Sequence, residues 1–85
     1  SIRASDAEVV TAILAFKSVS AAQLVPILRP LMPQQAHLAA LPDRNALIVV
    51  DRAANVRRLV AITEALDKLP ANASTSVKSG DSEGE

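Results

Sequence analysis

The chain has 85 residues with no cysteine, nine basic and nine acidic side chains, and one aromatic residue, Phe16. That length holds a single domain, which buries roughly 60–65% of its surface and has a core worth only about 3–5 kcal/mol. Zero formal net charge speaks against a phosphate-neutralising nucleic-acid module. A lone aromatic excludes a base-stacking platform, and the missing cysteines exclude disulfides and thiolate metal sites. Apolar runs fall well short of the ~20 residues that span a bilayer. With Ser1 in first place and no signal-peptide pattern, the expectation is a module belonging to a longer parent.

Residues 1–8 are short and polar and are expected to be a lead-in. Val9 to Phe16, VVTAILAF, is β-branched and apolar and predicts a strand, with helix as the competing reading. Lys17-Ser18-Val19 turns out of it. Ser20-Ala-Ala-Gln23 then matches a capping box, with Val19 and Leu24 at the two staple positions. A helix from Ala21 to about Leu31 follows, with Leu24, Ile27, Leu28 and Leu31 in helical spacing. Pro26 and Pro30 should kink and shorten it. His37 to Ala40 predicts a short strand, and Leu41 to Asn45 a turn. Ala46 to Val50, ALIVV, predicts a strand that forms a hairpin with the preceding one.

Asp51 is placed to cap a helix N-terminus. The helix runs over residues 52–69, with Val56, Leu59, Ile62, Leu66 and Leu69 on one side beside Val60. Glu64 and Lys68 stand at i,i+4, and Pro70 stops the helix. Residues 70–85 lose apolar periodicity and read as a flexible, disordered linker or tail. The ordered domain is therefore 9–69. Its class is α+β, with the order β-α-β-β-α and two helices packed on one face of a three-stranded sheet.

No reaction chemistry emerges from the residue types. His37, the only histidine, has no companion ligand and reads as an ordinary strand residue. The carboxylates Asp6, Glu8, Asp43, Asp51, Glu64 and Asp67 read as solvated surface charge. Both glycines, Gly80 and Gly84, fall in the tail, so no phosphate-cradling loop can form. A β-α-β-β-α order invites comparison with KH nucleic-acid modules, but those need a G-x-x-G loop. Neither a catalytic residue, a cofactor nor a metal is expected.

The strands are more telling. In the first, Val9, Thr11, Ile13 and Ala15 share one face, and Val10, Ala12, Leu14 and Phe16 the other. In the third, Leu47 and Val49 oppose Ala46, Ile48 and Val50. Both faces are mostly apolar, whereas a solvated antiparallel sheet alternates. Two helices cover only one face. The remaining apolar residues are either ordinary surface exposure or an assembly surface. The residues expected at a protein interface are Val9 and Ile13, with the basic Arg52, Arg57 and Arg58 as a charged rim.

Segments Lys17 to Ser20, Leu24 to Leu31, Asn45 to Val50, Asp51 and Leu66-Asp67 together resemble the N domains of bacterial secretins. HLAALPDRNALIVVDRAANVRRL is most similar to the first repeat, N1, of type II secretion secretins. The resemblance implies a KH-like fold and a periplasmic module of an outer-membrane channel for protein export. It also implies lateral packing with identical subunits into a ring, with adjacent N domains and exported proteins as further partners. Contact with the membrane would come only through the parent's C-terminal region, and no nucleic acid is involved. The alternatives are a KH-like nucleic-acid binder, or an N domain of a type IV pilus or type III secretin.

Overall fold

The computed structural model describes residues 3–70. The tail expected over 71–85 and the first two residues of the lead-in lie outside them. Element order is β1 (Val9–Ala15), α1 (Ala21–Leu28), a 3-10 turn (Arg29–Leu31), β2 (His37–Leu41), a 3-10 turn (Pro42–Arg44), β3 (Ala46–Arg52) and α2 (Ala53–Lys68). The sheet is antiparallel with order β1-β3-β2. The most apolar strand, β3, is thus central, and β2 and β3 form the expected hairpin.

Both helices lie on the same face. Leu47 and Val49 of β3 are fully buried against Leu24 and Leu28 of α1 and Val56 and Leu59 of α2. Val10, Ala12 and Leu14 of β1 and Leu38 and Ala40 of β2 complete this layer at the margins. The alternation in β1 is strict: Val9, Thr11, Ile13 and Ala15 are exposed while the residues between them are half-buried.

Helix α1 follows its sequence signals in part. Ser20 Oγ accepts from the Gln23 N–H at 3.4 Å, so the backbone half of the capping box forms. Val19 packs against the core as the staple requires. Pro26 sits inside the helix and leaves the exposed Ala22 carbonyl without its i+4 donor. After Leu28 the chain tightens into the 3-10 turn containing Pro30. Leu31 leaves the buried line, and Ile27 and Leu31 end 57% and 60% exposed. Helical spacing alone had placed them with Leu24 and Leu28. Arg29 secures the following loop through Nη1 to the Ala36 carbonyl at 2.9 Å and Nη2 to the Gln34 carbonyl at 3.4 Å.

In α2, Val56, Leu59 and Thr63 are buried, Ile62 and Leu66 are half-buried, and Leu69 is 52% exposed beyond the helix end. Thr63 escapes a hydrophobic count. It can be buried because its hydroxyl donates to the Leu59 carbonyl at 2.9 Å. Glu64 and Lys68 are both exposed.

Asp51 is not the helix cap that its position suggests. It is a buried residue of β3, and Arg52 occupies the cap position with no side-chain capping bond. Asp51 Oδ1 instead accepts from the Arg52 N–H at 2.7 Å and from Asn55 Nδ2 at 3.2 Å. The next two amides of α2 donate to the lead-in: Ala53 N–H to the Glu8 carbonyl at 2.8 Å and Ala54 N–H to the Asp6 carbonyl at 3.1 Å. Strand β3 runs straight into the helix, and the lead-in before β1 lies where a capping side chain would reach.

Two polar residues join elements far apart in sequence. Asn45 holds a left-handed backbone (φ 49°) at the end of the β2–β3 turn. Its Oδ1 accepts from the Ala21 N–H at 2.8 Å, and its Nδ2 donates to the Phe16 and Val19 carbonyls at 3.1 and 2.9 Å. Its own carbonyl accepts from the Phe16 N–H at 3.0 Å. Asp67, in the last turn of α2, accepts from three consecutive amides of the β1–α1 loop. Lys17 N–H lies 2.9 Å from Oδ2, while Ser18 and Val19 N–H lie 2.7 and 2.9 Å from Oδ1. It is therefore more than a solvated surface charge. The amides of Lys17, Val19 and Ser18, aided by the Lys17 charge, hold its carboxyl below the ordinary 3.8 against partial desolvation.

Replacing Asn45 by Ala removes three bonds and places an unsuited residue at positive φ, at a cost of about 3–5 kcal/mol. Because the core itself supplies only about that much, Asn45→Ala should be largely unfolded in urea-free buffer by circular dichroism. Asn45→Gly keeps the backbone conformation and should retain about 1–2 kcal/mol more. Asp67 generates a pH signature. Its folded-state pKa is depressed, so the bonded carboxylate's contribution is complete above pH 3.8 and disappears as pH falls below that value towards the folded pKa. The difference in thermal midpoint between the wild type and Asp67→Asn should be constant near neutrality and shrink below pH 3.8.

Candidate assembly surface

Antiparallel register places the side chains of the uncovered face in rows. Thr11, Val50 and His37 form one row, and Ile13, Ile48 and Ala39 the next, with Val9 opposite Arg52 at one end. The third row, Ala15, Ala46 and Leu41, is closed at its centre because Ala46 is buried under the end of the sheet. Val9 and Ile13 are 62% and 66% exposed. Ile48 and Val50 are half-buried. His37 is the exposed first residue of β2 and sits within this surface. The result is a contiguous apolar patch with no charge at its centre.

The five residues expected at an interface separate into two places. Val9 and Ile13 lie on the open face, where Ile48, Val50 and Ala39 join them, and Arg52 stands at its end. Arg57 and Arg58 lie on α2, in the layer behind the sheet. Arg57 Nη1 pairs with Asp6 Oδ1 at 2.6 Å, and its Nη2 donates to the Ala4 carbonyl. Arg52 Nη1 donates to the Ala7 carbonyl at 3.2 Å. Arg58 donates to Asn55 Oδ1 at 3.1 Å and borders a cleft with Leu31, Met32, Leu59 and Ile62. The basic cluster is therefore divided between holding the lead-in and lining the helix layer.

A second exposed apolar patch was not anticipated. Ile27 and Leu31 are exposed in the helix layer, on the other side of the sheet from Ile13, and Leu31 borders the same cleft as Arg58. The sequence signal for Leu31 was Pro30, in the turn that follows the early end of α1; helical spacing had placed Ile27 in the core. Among the described residues no group of three or more His, Cys, Asp or Glu side chains could hold a metal. No described helix is long and apolar enough to cross a membrane.

Fold and surface together define a small α+β module that presents one open sheet face. A family model described as the bacterial type II/III secretion system short domain, Secretin_N, matches residues 11–72. Secretin XcpQ of Pseudomonas aeruginosa is 41% identical over 58 residues, which make up 68% of this chain and 9% of that protein. The crystal structure of a dimer mutant from the N-terminal domain of XcpQ superposes with a TM-score of 0.68 at 38% identity, covering 74% of this chain and 29% of that one. Another crystal structure of the N-terminal domain of XcpQ from Pseudomonas aeruginosa gives 0.67 at 40% identity, covering 71% and 29%. The chain belongs to the secretin N-domain family. It spans about a tenth of the length of the curated relative it matches.

The two faces of the sheet should respond differently to substitution. Ile13→Glu, on the open face, should change stability by only about 0.5–1 kcal/mol. Leu47→Ala, on the covered face, should cost about 3 kcal/mol. Urea denaturation of the two variants measures the contrast.

Proposed function

We propose that this module is a non-catalytic, periplasmic N domain of an outer-membrane secretin of a type II secretion system, most similar to N1. It packs laterally against identical subunits in a ring. The observation that carries this reading is the open apolar sheet face on a member of the secretin N-domain family. The similarity to XcpQ favours the type II system over the type III and type IV pilus alternatives.

Size and placement of the patches support association in a ring over a free dimer. Three strands about 4.8 Å apart and some five residues long present about 300 Å². A stable two-body interface needs about 800 Å² per partner. Such a contact becomes effective when many copies are held together, because each additional contact is then intramolecular. The sheet patch and the exposed Ile27 and Leu31 lie on opposite sides of the sheet, the latter two in the helix layer. Joining one to the other on the next copy is a heterologous contact, which closes into a ring when the rotation permits. The isolated module is accordingly monomeric or weakly associated.

The test uses the full-length secretin. Ile13→Glu should sharply reduce the yield of multimers, Leu31→Lys should do the same, and the double variant should recover part of it through the new ion pair. Undiminished multimer yield in both single variants would overturn the assembly role. Loss in both without rescue would overturn the pairing of sheet face with helix patch.

A further inference from the structure

The start of α2 carries a device that the family reading does not explain. A helix N-terminus leaves its first amides without intrahelical partners. Here a side chain normally supplies the cap, but the Arg52 side chain makes no such bond. The first amides are met from three directions: Arg52 N–H by Asp51, Ala53 N–H by the Glu8 carbonyl, and Ala54 N–H by the Asp6 carbonyl. Glu8 stands one residue before β1, in line with the strand pairing of Val9 with Arg52. Asp6 is different, because it lies outside the sheet, in a turn closed by the Glu8 N–H to the Ser5 carbonyl at 3.0 Å. Further contacts must tie that turn to the helix end.

Two arginines of the helix side do so. Arg57 reaches back one turn to the Asp6 carboxylate at 2.6 Å and also to the Ala4 carbonyl. Arg52 grips the Ala7 carbonyl between them. Main-chain and side-chain contacts therefore bind residues 4, 6, 7 and 8 of the lead-in to the same end of the same helix. The Asp6 side chain is 83% exposed, so the ion pair is open to screening by salt.

We propose that residues 4–8 form an ionic strap that supplies the missing N-cap of α2 and fixes the direction from which the preceding chain arrives. Arg57 is its positioning residue and Asp6 its anchor. The strap makes the lead-in part of the folded module. Its strength falls with ionic strength, so the joint to whatever precedes it stiffens at low salt and loosens at high salt. This inference does not rest on ring packing: Arg52 alone borders the sheet patch, and neither Asp6 nor Arg57 belongs to that patch or to Ile27 and Leu31.

Backbone NMR on the 85-residue chain tests it. In the wild type at low salt, residues 4–8 should show heteronuclear NOE values close to those of β1, and the Ala54 amide should be protected. Arg57→Gln should release residues 4–7 and accelerate Ala54 exchange by about tenfold. Ala53, bonded to the end of the sheet ladder, should change little. Asp6→Asn, at an exposed side chain that cannot unfold the core, should give the same pattern. Added salt should loosen the wild-type lead-in and leave both variants unchanged. Lead-in residues as mobile in the wild type as in the variants, or Ala54 exchange unmoved by either substitution, would overturn the proposal.

Discussion

The amide of Asn45 is the point on which the fold depends. One side chain receives the first amide of α1, donates to the end of β1 and donates again to the loop between them, while its backbone makes the left-handed turn into β3. Residues 16–21 and the β2–β3 turn, far apart in sequence, are thereby held together at one corner of the sheet. A small domain gains little from any single apolar contact, so a polar group with every bond satisfied does much to select one arrangement. With that corner fixed, β3 lies between β1 and β2, and both helices fall on the same face.

That arrangement produces the open apolar surface by subtraction. An open three-stranded sheet has two faces, and the two helices cover one of them. Strand β3 is apolar on both sides, so Ile48 and Val50 meet solvent in company with Val9 and Ile13. Helix α2 serves as the spine of the module. Its N-terminal end is tied to the lead-in through Arg52, Ala53, Ala54 and Arg57, and its C-terminal end to the β1–α1 loop through Asp67. The described chain is thus secured to one rigid element near both of its ends, which suits the assembly role proposed for it.

The elements were readable in the sequence because their signals are local. ALIVV marked β3, and Ser20 and Gln23 marked the start of α1. The three- and four-residue recurrence of Val56, Leu59, Ile62 and Leu66 marked α2. The uncovered face could be foreseen from the same alternation, since two helices cannot cover both sides of a sheet. What escaped was long-range. Asp67 looks like any surface carboxylate until the chain returns its side chain to amides some fifty residues earlier. Arg57 looks like a solvated charge until the lead-in folds back over α2. Ile27 and Leu31 share the spacing of core residues, but Ile27 falls beside the buried Ala21, Leu24 and Leu28 line of α1, and Leu31 lies in the 3-10 turn after the helix has ended at Leu28. The central position of β3 likewise depends on pairing between β1 and β3, which no local pattern reports.

The central claim is that the open sheet face meets another copy of the same protein. Site-specific photocrosslinking tests it most directly, with a photoreactive amino acid at Ile13 in the full-length secretin and the products identified by mass spectrometry. The account predicts a crosslink from Ile13 to a second copy of this chain, mapping to the segment around Ile27 and Leu31. Crosslinks only to other proteins, or none to a second copy in assembled multimers, would contradict it.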